Sequence, residues 1–148
     1  MITLAFYNNE QKQKIIFEAY QNPQYKKDKI IETNKTIKEH SLVCVDDIKI
    51  NFEFENDYLK NVEYEATGCA IFLSSVEIMI KENINKTKKQ IQNILETYFK
   101  MINSTELNEN EADLLNKLTV FQNVKVHLNR LECASIIYRS FKKGLENE

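Results

Sequence analysis

The hydrophobic period of this chain changes at Gly68-Cys69, and that change constrains the fold more than any other feature. Over residues 36–67 apolar side chains recur at every second position. Ile48, Ile50, Phe52 and Phe54 alternate with Lys49, Asn51, Glu53 and Glu55, the pattern of a half-buried strand. Asn56-Asp57 suits a two-residue turn. The strand after it is expected to carry Tyr58, Val62, Tyr64 and Ala66 on one face, and Leu42 and Val43 to form a shorter strand before Cys44. After Cys69 the period becomes helical. Ala70 to about Lys81 is apolar nearly all round, which predicts a buried helix. Strands first and helices after give an α+β fold. The expectation is a small antiparallel three-stranded sheet packed against five to six helices, in a single domain spanning residues 1–148.

The other helices follow from the same reading. Residues 8–21 predict a first helix with Ile15, Ile16, Ala19 and Tyr20 as its apolar stripe, ended by Pro23. Residues 24–35 read as a solvated loop. Ile84, Ile91, Ile94, Leu95, Tyr98 and Ile102 mark an amphipathic helix, and residues 103–110 a polar loop. Asn108 and Glu111 have capping-box spacing before Leu114, Leu115 and Leu118. A last helix is expected over residues 121–143, with Phe121, Val124, Leu128, Leu131 and Tyr138 along one stripe.

Charge and length remove several classes of function. The net charge is −2 and no lysine run exceeds two, which argues against binding nucleic acid through phosphate contacts. No apolar run approaches the ~18 residues of a membrane span, and Met1-Ile2-Thr3-Leu4 leads straight into polar sequence. A cytoplasmic protein is expected, bound neither to membrane nor to nucleic acid. With two glycines in all, the chain cannot build a glycine-rich phosphate loop. Its three cysteines are an odd number, and a reducing compartment favours metal binding or a reactive thiol over disulfides.

Those cysteines define the candidate chemistry. Cys69 stands at the strand-to-helix junction, where Gly68 permits unusual backbone angles and a helix N-terminus favours a thiolate. The same residue also suits a purely structural, buried role. Cys44 and Asp46 are two apart and share a side if that stretch is extended. Cys133 lies three residues after Arg130, on the same helical face. Three thiolates and a carboxylate make a sound tetrahedral zinc set, although there is no CxxC pair. Asp47 is the alternative carboxylate. His40 is an outside candidate ligand, and His127, six positions before Cys133 on the expected helix, faces elsewhere.

At these residues the chain resembles the iron–sulfur cluster assembly proteins of the IscU/SufU/NifU-N-terminal type, over nearly its whole length. Ala19-Tyr20-Gln21-Asn22-Pro23 is similar to the family's "HYKNP" segment, and Cys44-Val45-Asp46 to its Cys-Gly-Asp. Gly68-Cys69-Ala70-Ile71, with Ser75 beyond, resembles "GCxISxAS". Arg130-Leu131-Glu132-Cys133-Ala134 resembles "RxxCAxL", with Tyr138 where an aromatic is expected. Val45 departs from the usual glycine and should avoid positive φ. Glu132 stands where the scaffold branch carries histidine. Arg130 and the long interval between Cys69 and Cys133 are similar to the zinc-dependent SufU branch. The resemblance implies zinc held by Cys44, Asp46, Cys69 and Cys133, with Cys44 accepting persulfide sulfur from a cysteine desulfurase and Arg130 assisting it. It also implies hand-over to downstream iron–sulfur assembly proteins. The alternative it leaves open is a scaffold on which the same ligands build a [2Fe–2S] cluster.

Overall fold

The computed structural model describes residues 7–103 and 106–147. The chain begins with helix α1 (Asn9–Gln21), capped by Asn8, whose side chain accepts from the Gln11 amide while Gln11 returns a bond to the Asn8 amide. Ile15 and Ile16 are half-buried and Ala19 buried, but Tyr20 is exposed. At about 100° per residue, Tyr20 lies roughly 90° from the middle of the stripe the other three define. The helix ends at Asn22, immediately before Pro23.

Three antiparallel strands follow in the order β1 (Ile37–His40), β2 (Asp47–Glu55) and β3 (Tyr58–Thr67). Asn56 and Asp57 make the expected two-residue turn, both at positive φ, the geometry that matches the twist of a hairpin. One expectation fails at Tyr58. The pairs Phe54↔Leu59 and Glu53↔Asn61 leave one extra residue on β3, a bulge that reverses the alternation. Leu59 is therefore fully buried and Tyr58 points out. A second failure is the short strand at Leu42 and Val43. β1 ends at His40, which pairs with Asp47, and the Ser41 amide bonds the Asp46 carbonyl at 2.8 Å. Residues 41–46 are thus a closed hairpin loop, with Leu42 80% and Val43 58% exposed.

The segment 24–35 has no regular structure, yet it is tied down. The Lys27 amide donates to the Tyr64 carbonyl at 2.7 Å and the Tyr64 amide to the Tyr25 carbonyl at 3.3 Å, so the segment covers the outer edge of β3. Buried Glu77 holds its start, accepting from the Gln24 and Tyr25 amides and, at 2.6 Å, from the Tyr64 hydroxyl.

α2 (Ala70–Asn83) is buried from Phe72 to Ile80, as its all-round apolar sequence predicts. Ile84 belongs to its C-cap, in extended geometry, and not to the next helix; Asn85 then turns the chain at positive φ. α3 (Lys88–Asn103) buries Ile91, Ile94, Leu95, Tyr98, Met101 and Ile102. α4 (Glu109–Leu115) carries the expected capping box at Asn108 and Glu111. Of the expected loop 103–110, Asn103 ends α3 and residues 104 and 105 lie outside the described residues.

The last helix starts later than its apolar spacing suggests. Asn116–Phe121 and Val124–Val126 form 3-10 turns, and His127 is extended. β-branched Val124 and Val126 are poor starting residues for an α-helix. α5 therefore runs Leu128–Glu146. Leu128 is 79% exposed and leaves the expected stripe, whereas Phe121 and Val124 reach the core from the 3-10 turns. α5 lies across α2 and α3, and the Tyr98 hydroxyl bonds the Ala134 carbonyl at 2.8 Å. No helix among the described residues is long and apolar enough to cross a membrane.

Candidate metal centre

Three segments distant in sequence meet at one end of the sheet. The first is the loop 41–46, with Cys44 near its tip and Asp46 at its base. Asp46 is 1% exposed. Val45, 85% exposed, is not at positive φ, as its side chain requires. The second segment is the junction of β3 and α2. The register Asp47↔Thr67 sets Asp46 beside Gly68, and the Asp46 Oδ1 accepts the Cys69 amide at 2.9 Å. Cys69 caps α2, its sulfur 3.5 Å from the Phe72 amide, as the junction reading anticipated. The third segment is the second turn of α5, which carries Cys133.

These segments bring three of the four sequence-predicted donors, Cys44, Asp46 and Cys133, into one group, while Cys69 lies against Cys133 and Asp46 but outside that group. Single donor atoms of Cys44, Asp46 and Cys133 lie within 4.8 Å of one another. The Cys44 and Cys133 sulfurs are 3.8 Å apart, and those of Cys69 and Cys133 3.3 Å. The Cys69 sulfur is 3.7 Å from the Asp46 Oδ2. Sulfurs at ~2.3 Å from a tetrahedral zinc ion lie ~3.8 Å from one another. The donor chemistry and the Cys44–Cys133 separation fit such an ion, and Cys69 completes the set only by moving closer to Cys44. The electrostatics agree. Burial, with the Asp46 carboxylate and the Cys69 sulfur beside it, pushes the Cys133 thiol well up. Gathering acidic groups this closely is unfavourable without a cation, and a divalent ion reverses that balance.

The surroundings differ by residue. Cys133 is buried, whereas Cys44 and Cys69 are exposed. They line a shallow cleft of about 650 Å³ with Arg130 at its rim, so Arg130 does share the Cys133 side of α5. Asp47 enters β2 and faces away from the group, paired with His40 and Thr67. His40 and His127 are not members of the group either. His127 precedes α5 in extended geometry, so the helical angle expected between it and Cys133 does not apply.

Two contributors were not legible beforehand. The Ser41 Oγ accepts the Val43 and Cys44 amides at 3.1 and 3.0 Å and lies 3.2 Å from the Cys44 sulfur. A serine at the start of a short loop is a turn signal that could have pointed to it. Glu132 accepts the Leu42 amide at 2.8 Å and pairs with Arg139 through both oxygens. Its seven-residue spacing to Arg139 was readable, but its contact with Leu42, 90 residues away, was not.

Comparison with known proteins places this geometry in context. The profile of the NifU-like N terminal domain matches residues 11–134. A protein of Borreliella burgdorferi, itself uncharacterised, is 34% identical over 117 residues, covering 79% of this chain and 78% of that one. The zinc-dependent sulfurtransferase SufU of Bacillus subtilis is 20% identical over 134 residues, 90% of this chain and 88% of that one. Among solved structures, a protein of Fervidobacterium islandicum described as an iron–sulfur cluster assembly scaffold for the SUF system superposes with a TM-score of 0.80. It has 24% identity and covers 93% of this chain and 99% of its own.

Proposed function

This chain belongs to the NifU-like N-terminal domain family of iron–sulfur cluster assembly, and from that membership we propose that it is a zinc-dependent sulfur acceptor for a cysteine desulfurase. The observation that carries the reading is the grouping of Cys44, Asp46 and Cys133, with Cys69 against two of them and the Cys44 sulfur on a loop facing solvent. Zinc bound there would stabilise the fold and keep its thiols deprotonated. Cys44 is the acceptor on mechanical grounds. Cys133 is buried in α5, and Cys69 caps α2, so neither can move without disturbing a helix. Cys44 sits on a six-residue hairpin loop that can move alone.

The Cys44 thiolate attacks the terminal sulfur of the desulfurase persulfide. A bond forms between the Cys44 sulfur and that sulfur, and the S–S bond of the desulfurase breaks. The desulfurase cysteine leaves as a thiolate, with no net oxidation or reduction. Arg130, exposed at the rim, supplies positive charge beside the reacting sulfurs. Leu42, Val43 and Val45 beside Cys44, and Val126 and Leu128 just before and at the start of α5, are exposed apolar side chains suited to a protein partner.

The same ligands could instead assemble a [2Fe–2S] cluster, and the relatives carry both descriptions. Glu132, where the scaffold branch has histidine, favours sulfur transfer. The deciding experiment adds the protein to its cognate desulfurase with free cysteine and a reductant and measures sulfide release. Stimulation is expected from wild type and none from Cys44→Ser, both folded. Purified protein should hold about one zinc per chain, lost together with thermal stability in Cys69→Ala and Cys133→Ala. A chain that gives no stimulation, yet forms a coloured cluster that survives desalting, is a scaffold.

A further inference from the structure

Glu132 lies directly before a proposed ligand, yet its carboxylate is turned to another task. The Oε1 accepts from Arg139 Nη1 at 3.0 Å. The Oε2 accepts from Arg139 Nη2 at 3.1 Å and from the Leu42 amide at 2.8 Å. Both oxygens are thus engaged by a planar guanidinium and a backbone donor, which leaves the group poorly placed to bind an ion as well. Arg139 is itself held. Its Nε donates to Glu39 at 3.1 Å and its Nη2 to the His40 carbonyl at 3.4 Å, and Lys143 pairs with the other Glu39 oxygen. The chain of contacts runs from α5 to the end of β1 and into the loop two residues before Cys44.

We infer that Glu132 is a positioning residue: braced by Arg139, its carboxylate anchors the Cys44 loop through the Leu42 amide and so holds the Cys44 sulfur against Cys133. An ordinary surface ion pair along one helix would explain Glu132 and Arg139 alone. It does not explain the third partner, a main-chain amide 90 residues away in a loop whose turn is closed internally by the Ser41 amide and hydroxyl and whose base is held by the Asp46–Cys69 bond. Leu42 and Val43 are exposed and provide no packing to hold the loop. Among the described residues, the Glu132 bond therefore ties the first half of that loop to α5, as the Asp46–Cys69 bond ties its base to the β3–α2 junction. The inference rests on the proposed ligand set for its importance, but not for its test.

The test uses reduced, metal-free protein without any desulfurase, so it stands or falls separately from sulfur transfer. Two quantities are read at one fixed pH: hydrogen exchange at the Leu42 amide, and alkylation of Cys44 by iodoacetamide relative to Cys69 in the same molecule. Losing a charge-assisted bond should favour the open loop on the order of tenfold or more. Glu132→Ala is expected to speed Leu42 exchange and to raise the Cys44-to-Cys69 ratio by about tenfold. General loosening of the fold would instead raise both cysteines alike. Glu132→Gln keeps an acceptor for the Leu42 amide and should restore most of the wild-type ratio. Arg139→Gln touches no thiol, yet it should raise the ratio as well, and combining it with Glu132→Ala should add little. If Glu132→Ala does not fold, Arg139→Gln, on a side chain about one-third exposed, gives the same reading. An unchanged ratio and unchanged Leu42 protection in a folded variant of either residue overturns the inference.

Discussion

Gly68 has no side chain because Asp46 occupies the space one would need. A Cβ built there would stand 2.3 Å from the Asp46 Oδ1 and 2.6 Å from the Phe72 ring. Both neighbours are buried, so neither has room to retreat. Gly68→Ala should push Asp46 off the Cys69 amide. It should lower zinc content and cost about 1–3 kcal/mol, as overpacking typically does. Elemental analysis and thermal melting check this; a variant with full zinc and wild-type stability would show that Asp46 can step aside. In sequence, Gly68 stood out for its backbone freedom. Its contact with Asp46 is set by the register of β2 on β3, which no local pattern states. The four donors could be picked out one by one from residue chemistry and resemblance. Glu132 could not, because what matters about it is a partner at Leu42.

Among the elements, β2 was the most legible, since one buried face enforces strict alternation. The β3 bulge was not, because a single extra residue at Lys60 leaves both halves of the strand alternating normally. The start of α5 was hidden for a related reason. Phe121 and Val124 are as buried in 3-10 turns as they would be in an α-helix, so burial alone does not mark the boundary. The far end of α5 makes a prediction of its own. At Gly144 a Cβ would lie 2.5 Å from the Phe52 ring, which meets Phe141 edge-on at 4.8 Å and 74°. Alanine gains about 1 kcal/mol of helix propensity over glycine. Overpacking of this kind costs about 1–3 kcal/mol. The clash should win, because Phe52 cannot swing away without leaving Phe141. Gly144→Ala is expected to lower the urea midpoint at constant m-value, and a higher midpoint would mean that the ring yields.

Across the whole molecule, charge pairs join α5 to the sheet, and they predict how acid acts. Burial pushes the Glu39 carboxyl up, but Lys143 and Arg139 outweigh burial and hold it below its ordinary 4.5. A carboxyl depressed in the folded state takes up its proton more readily once unfolded. Its contribution is therefore complete above about pH 4.5 and is lost as pH falls through the lower, folded value. Glu39→Gln should flatten the fall of melting temperature below about pH 5. Glu32, held at about 2 by Lys38 and Lys49, is exposed. The effect of Glu32→Gln should vanish in about 1 M salt, where the screening length is ~3 Å, while that of Glu39→Gln persists. Equal loss of both effects in salt would show that Glu39 is no better shielded from solvent than Glu32.

The wide separation of the four donors also governs how the protein is made. Cys133 follows Cys69 by 64 residues. At ~5–20 residues per second, a ribosome needs about 3–13 s to add them. During that interval the growing chain carries two thiols and a carboxylate, while Glu132 and Arg139, which brace the loop, have yet to be synthesised. The helix that covers α2 is missing as well. The two thiols made first are the two that still face solvent in the finished protein, and the last to be made is the one that is buried. On the proposed ligand set, an ion would be enclosed on four sides only after translation has passed the third cysteine, so full loading would follow synthesis of α5.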